Sequence, residues 1–242
     1  MKMNEPKTSR LYDLWALFYD HSFGALVSLR QKRAVEELRP QKGDRILEIG
    51  IGTGMTLKHY PRDISLVGID LSRGMLNKAT SKINKLNIDS CYLVQADAML
   101  PPLAEHSFDH ILICHAISVV SDPAKLLQWA KKLVKPGGRI VVLNHFLSHM
   151  PMIAWLEKRL NPLCVKIGWR SDLSLEECLW QTDLRVLYQF KMNMIDLWEI
   201  VILSPIPTQS PLTSSSSEHP AIPSDWETTD QYPLPKVLAS VP

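Results

Sequence analysis

The chain has 242 residues, of which 45% are apolar and 21% charged, enough for one domain with a full-sized core and additional terminal segments. Its formal net charge of +2 is too small to indicate a nucleic-acid-binding protein. The four cysteines show no CxxC pair or other metal-ligand spacing, so we expect free thiols, a reducing compartment and no bound metal. No apolar run reaches the roughly 20 residues that span a bilayer, and residues 1–10 lack the apolar core of a signal peptide. These features predict a cytoplasmic protein.

Residues 1–39 are predicted to form amphipathic helices. Their apolar stripe follows three basic residues, Lys2, Lys7 and Arg10, and consists of Leu11, Leu14, Trp15, Phe18 and Tyr19. Such a stripe suits the headgroup level of an anionic membrane. It equally suits a lid that packs over a ligand site, and the two roles are compatible because a lid can also face lipid.

Five short runs rich in Ile, Val and Leu follow, separated by segments of helical periodicity: RILEIG, SLVGID, CYLVQAD, HILICHAIS and RIVVLNHF. This alternation predicts a parallel sheet covered by helices on both faces. Two crossover helices carry start signals, since Ser72 and Asp122 are good N-caps and Pro123 suits a first helical position. Gly137 and Gly138 are predicted to follow the end of the second of these helices.

The pattern changes after the fifth strand. MPMIAWLEKRLNPL predicts a helix that ends near Asn161 and Pro162, and SLEECL predicts another with a capping box of Ser174 and Glu177. LRVLYQF and MIDLWEIVIL predict two closing strands whose short connection permits only an antiparallel hairpin. The fold class is therefore α/β, a Rossmann-like doubly wound seven-stranded sheet, mostly parallel with an antiparallel last strand.

The domain is predicted to cover residues 40–203, followed by a Pro/Ser-rich tail over residues 204–242. The tail lacks periodicity, which predicts disorder. Trp226 and Tyr232 leave a partner-binding motif there as the alternative.

The segment EIGIGTG, where the first strand meets the first helix, predicts a ligand site. Ligands of doubly wound sheets bind at the carboxyl ends of the strands, where glycines such as Gly50, Gly52 and Gly54 allow close backbone approach. Asp70 ends the second strand about 20 residues later, the position from which a carboxylate bonds the ribose of an adenosine. Glu48 would repel a pyrophosphate but would favour a cofactor bearing an amino group and a sulfonium.

These features resemble motif I of the class I S-adenosylmethionine-dependent methyltransferases. The similarity continues through VGIDLS, QADAMLPPLAEHSFDHI and LVKPGGRIVVLNHF and covers roughly residues 40–146. It implies S-adenosyl-L-methionine as the cofactor, with a binding site formed by Glu48, Gly50, Gly52, Thr53, Gly54, Asp70, Leu71, Asp97, Ala98 and His115. Plainer interpretations are a salt bridge from Glu48 to Arg45, a turn cap at Asp97, and structural roles for Asp109 and His115.

A second resemblance is to the bacterial phosphatidylethanolamine (phospholipid) N-methyltransferases. It rests on LYDLWALFYDHSFG, GDRILEIGIGTGMTLKHYP and LNHFLSHMPMIAWLEKRLNPLCVKIGWRSDLSLEECL, and it excludes the tail. It implies stepwise methylation of the amine of phosphatidylethanolamine toward phosphatidylcholine by an enzyme peripherally associated with the inner face of the membrane. It also implies that Tyr19 lies near the cofactor and headgroup, and that the substrate side includes Asn144, His145, Arg170 and Asp172.

Methyl transfer to an amine requires alignment, exclusion of water and loss of a proton. Tyr19, His115 and His145 are the candidate catalytic residues that orient the amine or accept its proton, and water is the alternative acceptor. Arg170 is a candidate for the lipid phosphate, or else a partner of Asp172. We expect a monomer whose partner is a phospholipid at a membrane surface, with no nucleic acid and no metal.

Three alternatives remain open. A C-methyltransferase of ubiquinone or menaquinone biosynthesis, or another small-molecule methyltransferase, would share the cofactor site but would need no phosphate-binding arginine. A binding module would hold S-adenosylmethionine without turnover. A nicotinamide-dependent reductase is disfavoured because Glu48 would oppose a pyrophosphate.

Overall fold

The computed structural model describes residues 24–166, 169–193 and 196–206. The predicted N-terminal apolar stripe with Tyr19 and nearly all of the predicted tail lie outside these ranges. Within them, a seven-stranded sheet is flanked by α-helices on both faces, as the sequence predicts.

The strands follow the predicted runs: β1 Arg45–Ile49, β2 Ser65–Asp70, β3 Cys91–Gln95, β4 Phe108–Cys114, β5 Val134–Asn144, β6 Leu184–Phe190 and β7 Glu199–Pro205. Their order is β3-β2-β1-β4-β5-β7-β6. β7 pairs antiparallel with both β5 and β6, which confirms the predicted reversal of the last strand. The strand order changes direction between β1 and β4, and a ligand crevice is expected at the carboxyl ends of these two strands.

The helices are α1 Gly24–Glu37, α2 Arg73–Leu86, α3 Pro123–Leu133, α4 Pro151–Lys166 and α5 Leu175–Leu179, with a 3₁₀ turn at Leu57–His59. The predicted caps are present. The Ser72 hydroxyl accepts a hydrogen bond from the Met75 amide at 3.1 Å, and the Asp122 carboxylate accepts one from the Lys125 amide at 3.0 Å. Each cap satisfies an amide at a helix start that has no partner within the helix.

Two helix ends differ from the prediction. α3 ends at Leu133, before the glycine pair, because Pro136 disfavours a helical conformation at the preceding residue; Val134 already pairs with Phe108 in the sheet. α4 continues through Pro162 to Lys166. The buried Asn161 side chain accepts a hydrogen bond from the Ser171 amide at 3.1 Å, which holds this turn against the domain despite the intrahelical bond that proline removes.

Each face of the sheet has its own apolar core. Leu47, Ile49, Ile111 and Ile113 belong to the cluster that includes α3, whereas alternate residues such as Leu112 belong to the cluster that includes α1. Both sets are buried, which explains why these strands are continuous apolar runs. The strands are therefore held rigidly, and their carboxyl ends form a fixed edge for a binding site.

Candidate active site

A pocket opens at the carboxyl ends of β1, β2 and β4. Nine of the ten residues predicted to bind the cofactor line it: Glu48, Gly50, Gly52, Thr53, Asp70, Leu71, Asp97, Ala98 and His115. The exception is Gly54, at which an added Cβ would lie 2.4 Å from Leu57 Cδ1 in the core. Gly54 lets the loop pack on the domain, while its neighbours face the pocket.

The loop after β1 needs glycine at Gly50 for two reasons. Its φ is +74°, and an added Cβ would lie 2.5 Å from the Cβ of Ala116. Asp70, at the end of β2, secures the next turn of this loop: one carboxylate oxygen accepts from the Gly52 amide at 2.9 Å and the other from the Ser72 amide at 2.8 Å. Asp70 therefore joins the glycine loop to the start of α2 and also faces the pocket.

Glu48 is buried in β1, and its carboxylate is bound on the protein side. It accepts hydrogen bonds from the Thr56 hydroxyl at 2.8 and 2.9 Å and from the Tyr60 hydroxyl at 2.9 Å. Burial raises the pKa of Glu48 to about 7, and these hydrogen bonds oppose the shift. Its partner is not Arg45, whose guanidinium lies 5.0 Å from the centre of the Phe108 ring. A positively charged ligand beside Glu48 would favour the ionised carboxylate.

Asp97 lies in the segment after β3, and it both caps a turn and lines the pocket. Its carboxylate accepts a hydrogen bond from the Met99 amide at 2.7 Å, which caps the following turn. It also lines the pocket together with Ala98. Asp109 lies elsewhere, at the start of β4, where it accepts from Lys135 Nζ at 2.7 Å and from the Arg45 amide at 2.9 Å. Asp109 therefore connects neighbouring strands at their amino ends, opposite the pocket.

His115 follows β4 with a positive φ of +58°, and its amide donates to the Leu143 carbonyl at 2.8 Å. Its ring meets Trp198 edge to face, with centroids 6.3 Å apart. Burial, and secondly the charge of Arg30, lower the pKa of His115 to about 4. The ring is therefore neutral near pH 7, which suits a group that orients a ligand better than one that retains a proton.

The structure adds pocket residues that sequence reasoning missed: Gln31, Met55, Thr56, Met75, Cys114 and Val119. A signal for Gln31 was present in the sequence. It interrupts the buried apolar face of α1, which includes Val27, Ala34 and Val35. A polar residue on such a face requires a partner, and the pocket is where one would be bound.

Asn144 and His145 lie at the end of β5 and are not among the residues that line this pocket. The Asn144 amide donates to the His145 carbonyl at 2.6 Å and accepts from the Ser118 hydroxyl at 3.1 Å. Both ring nitrogens of His145 have protein partners, the Leu197 carbonyl at 2.7 Å and the Glu157 carboxylate at 3.2 Å. Both side chains thus connect β5 to the loops around it, and their assignment to the substrate stays a prediction.

Arg170 is held by two acids. Its Nε donates to Asp172 at 3.0 Å, and its two terminal nitrogens bind the Glu177 carboxylate at 2.8 and 3.0 Å. The side chain is only 12% exposed. The pair with Asp172 was the plainer of the two interpretations, and a phosphate would have to compete with Glu177 for the same guanidinium. The phosphate contact therefore stays a prediction.

Comparison with known proteins identifies the class of enzyme. Residues 47–142 match the model of a methyltransferase domain family, over the same strands and loops that form the pocket. The chain is 31% identical to the phosphatidylethanolamine N-methyltransferase of Cereibacter sphaeroides over 186 residues, which cover 76% of this chain and 91% of that protein. The chain belongs to the class I S-adenosylmethionine-dependent methyltransferases, and its cofactor is S-adenosyl-L-methionine.

Two further matches show how far the likeness extends. The demethylmenaquinone methyltransferase of Shouchella clausii is 25% identical over 211 residues, covering 81% of this chain and 88% of that protein. A geranyl diphosphate methyltransferase solved with S-adenosylmethionine superposes with a TM-score of 0.62 at 12% identity, covering 74% of this chain and 85% of the other. At this identity the second likeness is one of fold alone.

The described residues fit the cofactor. A Cβ added at Gly52 would meet only the Gly50 carbonyl, at 4.0 Å, and Asp70 offers a carboxylate at the end of β2. Gln31 lines the pocket, and its buried amide oxygen has no donor among the described residues. Among the described residues, no group of three or more His, Cys, Asp or Glu side chains is arranged to hold a metal ion. No helix in the same part of the chain has both the length and the apolar character required to cross a membrane.

Proposed function

We propose that this methyltransferase transfers methyl groups to the amine of phosphatidylethanolamine, toward phosphatidylcholine, while bound to the inner face of the membrane. The observation that carries the proposal is the 31% identity to a phosphatidylethanolamine N-methyltransferase over 91% of that protein's length. The similarity therefore extends past the cofactor domain into the segments after β5. Methyltransferases that act on different acceptors can differ in such segments while sharing the cofactor site.

The outward face of α4 supports a membrane-resident substrate. At 100° per residue, its exposed apolar side chains fall on one side of the helix: Met152, Ile153, Trp155, Leu156, Leu160 and Leu163. Trp155 is 65% exposed and Leu163 61% exposed. Arg159 and Lys166 lie within the same arc, so this side of α4 is apolar and basic together. Exposed large apolar side chains grouped in this way mark a contact surface.

The less exposed side of α4 carries two polar contacts beside the half-buried Ala154, Cys164 and Val165. Glu157 accepts from the Ser148 amide at 2.8 Å, and the buried Asn161 accepts from the Ser171 amide. The remaining charges on α4 are the exposed basic residues Lys158, Arg159 and Lys166. An apolar face with an aromatic residue and basic neighbours suits the interface of an anionic membrane.

The chemistry needs little from the protein beyond placement. Bound S-adenosylmethionine supplies an activated methyl group, whose bond to sulfur breaks as a bond to the acceptor nitrogen forms. The apolar pocket wall at Val119 and Met75 would exclude water, and the neutral His115 ring would orient the amine. Because the pKa of His115 is about 4, we assign the proton released by the amine to water rather than to this ring.

The second candidate is a quinone C-methyltransferase, favoured by the 25% identity to a demethylmenaquinone methyltransferase. The test is incubation of the purified chain with radiolabelled S-adenosylmethionine and anionic liposomes that contain phosphatidylethanolamine, demethylmenaquinone, or both, followed by lipid chromatography. Label in monomethyl, dimethyl or phosphatidylcholine spots supports the proposal. Label in menaquinone alone would replace it with the second candidate.

Two variants control this assay. Asp70→Ala removes a carboxylate that faces the pocket and holds Gly52, and it should abolish labelling of every lipid. Asp89→Ala removes an exposed carboxylate before β3 and should leave labelling unchanged.

A further inference from the structure

Gln31 carries an acceptor for which the described residues provide no donor. Its side chain is 3% exposed and lines the pocket, and no described residue donates a hydrogen bond to its Oε1. Buried amide oxygens are nearly always hydrogen-bonded, because water is lost on burial and must be replaced. An acceptor of this kind at the wall of a cofactor pocket indicates a donor on the ligand.

α1 presents Gln31 from a fixed position. The neighbouring Arg30 donates to the buried Asp196 carboxylate at 2.8 Å, and its guanidinium lies 4.9 Å from the centre of the Trp198 ring. Trp198 in turn contacts His115. These contacts anchor this turn of α1 to the loop before β7 and so fix the backbone position from which Gln31 extends.

The sheet order indicates which part of the cofactor Gln31 meets. The residues predicted for the adenosine, Asp70 and Asp97, follow β2 and β3, on one side of β1. α1 packs on the other side, against β4, β5 and β7. Gln31 and His115 therefore lie at the end of the pocket away from the adenosine, where the methionine moiety of the cofactor must extend.

The methionine moiety has one strong donor group, its ammonium. Glu48 is the residue that the sequence suggests for it, but the Glu48 carboxylate already accepts hydrogen bonds from two hydroxyl groups, those of Thr56 and Tyr60. The Gln31 oxygen has no such protein donor among the described residues. A neutral amide oxygen in a pocket that the Glu48 carboxylate also lines is a suitable acceptor for a cation.

We propose that Gln31 Oε1 accepts a hydrogen bond from the ammonium group of the cofactor's methionine moiety, and that Gln31 is a cofactor-binding residue of this enzyme. The role is separate from the choice of methyl acceptor. It holds for a phospholipid or a quinone enzyme alike, because both use the same cofactor.

The test measures equilibrium binding of three ligands to the full chain and to Gln31→Met, which keeps the size and helix preference of the side chain but removes the acceptor. The first ligand is S-adenosylhomocysteine. The second, 5′-methylthioadenosine, lacks the amino acid, and the third, 4-(5′-adenosylthio)butanoate, keeps the carboxylate and lacks the ammonium. Gln31→Met should weaken binding of the first about 10-fold and change the other two less than about 2-fold, as expected for loss of one charge-assisted hydrogen bond.

Equal loss for S-adenosylhomocysteine and the butanoate would show a contact with the carboxylate and would overturn the proposal. Loss for all three ligands would indicate damage to the pocket and would count against it equally. Gln31→Glu, which restores an acceptor, should bind S-adenosylhomocysteine at least as tightly as Gln31→Met does, and failure to do so would also contradict the proposal.

The matched control is Gln128→Met. Gln128 lies on α3, and its amide donates to the Gln181 carbonyl at 3.2 Å, away from the pocket. It should leave all three affinities unchanged. No lipid takes part in this experiment, so its failure and a failure of the proposed phospholipid activity can be told apart.

Discussion

The cofactor pocket and the segments predicted to lie on the acceptor side, residues 144–149 and 169–172 (the acceptor-side segments), use polar side chains in different ways. In the pocket, predicted residues such as Asp70 and Asp97 hold the local backbone and still face open space. In the acceptor-side segments, His145 and Arg170 have their nitrogen atoms bound to Glu157, Leu197, Asp172 and Glu177. A sequence motif is therefore a better guide to ligand contact in the first region than in the second.

The reason is geometric. Pocket residues come directly after buried strands, so a few residues of local sequence determine where their side chains point. The residues predicted for the acceptor side lie between the end of β5 and the start of β6. Whether their charges are available depends on partners at very different separations in the chain, from Asp172, two residues after Arg170, to Leu197, 52 residues after His145.

The largest predicted effect on stability is at Gly50, in the pocket loop, and it tests the pocket side of this comparison. Gly50→Ala combines a φ of +74° with a clash at 2.5 Å from Ala116, and it should lower the free energy of unfolding by about 3 kcal/mol. The control is Gly43→Ala, which has a φ of +88° but no atom within 4 Å and should cost about 1 kcal/mol. Urea unfolding measures both. Equal costs would mean that the close approach to Ala116 does not constrain the loop.

Glu48 should make stability depend on pH. The folded state raises its pKa from 4.5 to about 7, so between these values the folded chain binds more protons and stability falls as pH rises. The difference in the free energy of unfolding between wild type and Glu48→Gln should therefore change by about 3 kcal/mol from pH 4.5 to pH 7.5. The variant removes only this contribution, since His115, whose pKa is lowered, contributes stability that rises with pH in both proteins. A constant difference across this pH range would contradict the raised pKa.

The outward face of α4 should affect membrane binding more than folding. Leu163→Glu, at a side chain 61% exposed, should weaken binding to anionic liposomes about 10-fold by losing apolar contact and adding a negative charge. Leu187→Glu makes the same change at a side chain 40% exposed on β6, outside residues 1–39, and should leave binding unchanged. Flotation of both variants with vesicles measures the effect. If the two variants bind equally well, α4 is not part of the surface that contacts the membrane.

A substitution at Arg170 should give the smallest effect. It tests whether the guanidinium contacts the substrate in addition to its internal acidic partners. Arg170→Lys loses the two-pronged contact and should raise the KM for phosphatidylethanolamine about 3-fold. Glu177→Gln weakens the same internal pair but leaves the guanidinium, and it should not raise the KM. Initial rates on liposomes of graded composition measure both. Parallel changes in the two variants would make Arg170 a structural residue only.

The sequence by itself determined the sheet, its reversed last strand and the line of pocket residues after β1, β2 and β3. Alternating periodicity, caps and glycines act over a few residues, so they can be found without knowing the fold. Predictions were less accurate at helix ends, where Pro162 stays inside α4 and Pro136 ends α3 early.

Only the tertiary structure decided which polar groups remain available to a ligand. Gln31 meets the pocket because α1 packs beside β4, and Arg170 is neutralised because Glu177 lies in the first turn of α5. Glu48 likewise turns toward Thr56 and Tyr60 rather than Arg45. Hydrogen bonds and ion pairs of this kind depend on distances of a few ångströms between side chains on different elements, which periodicity, caps and turn residues do not encode.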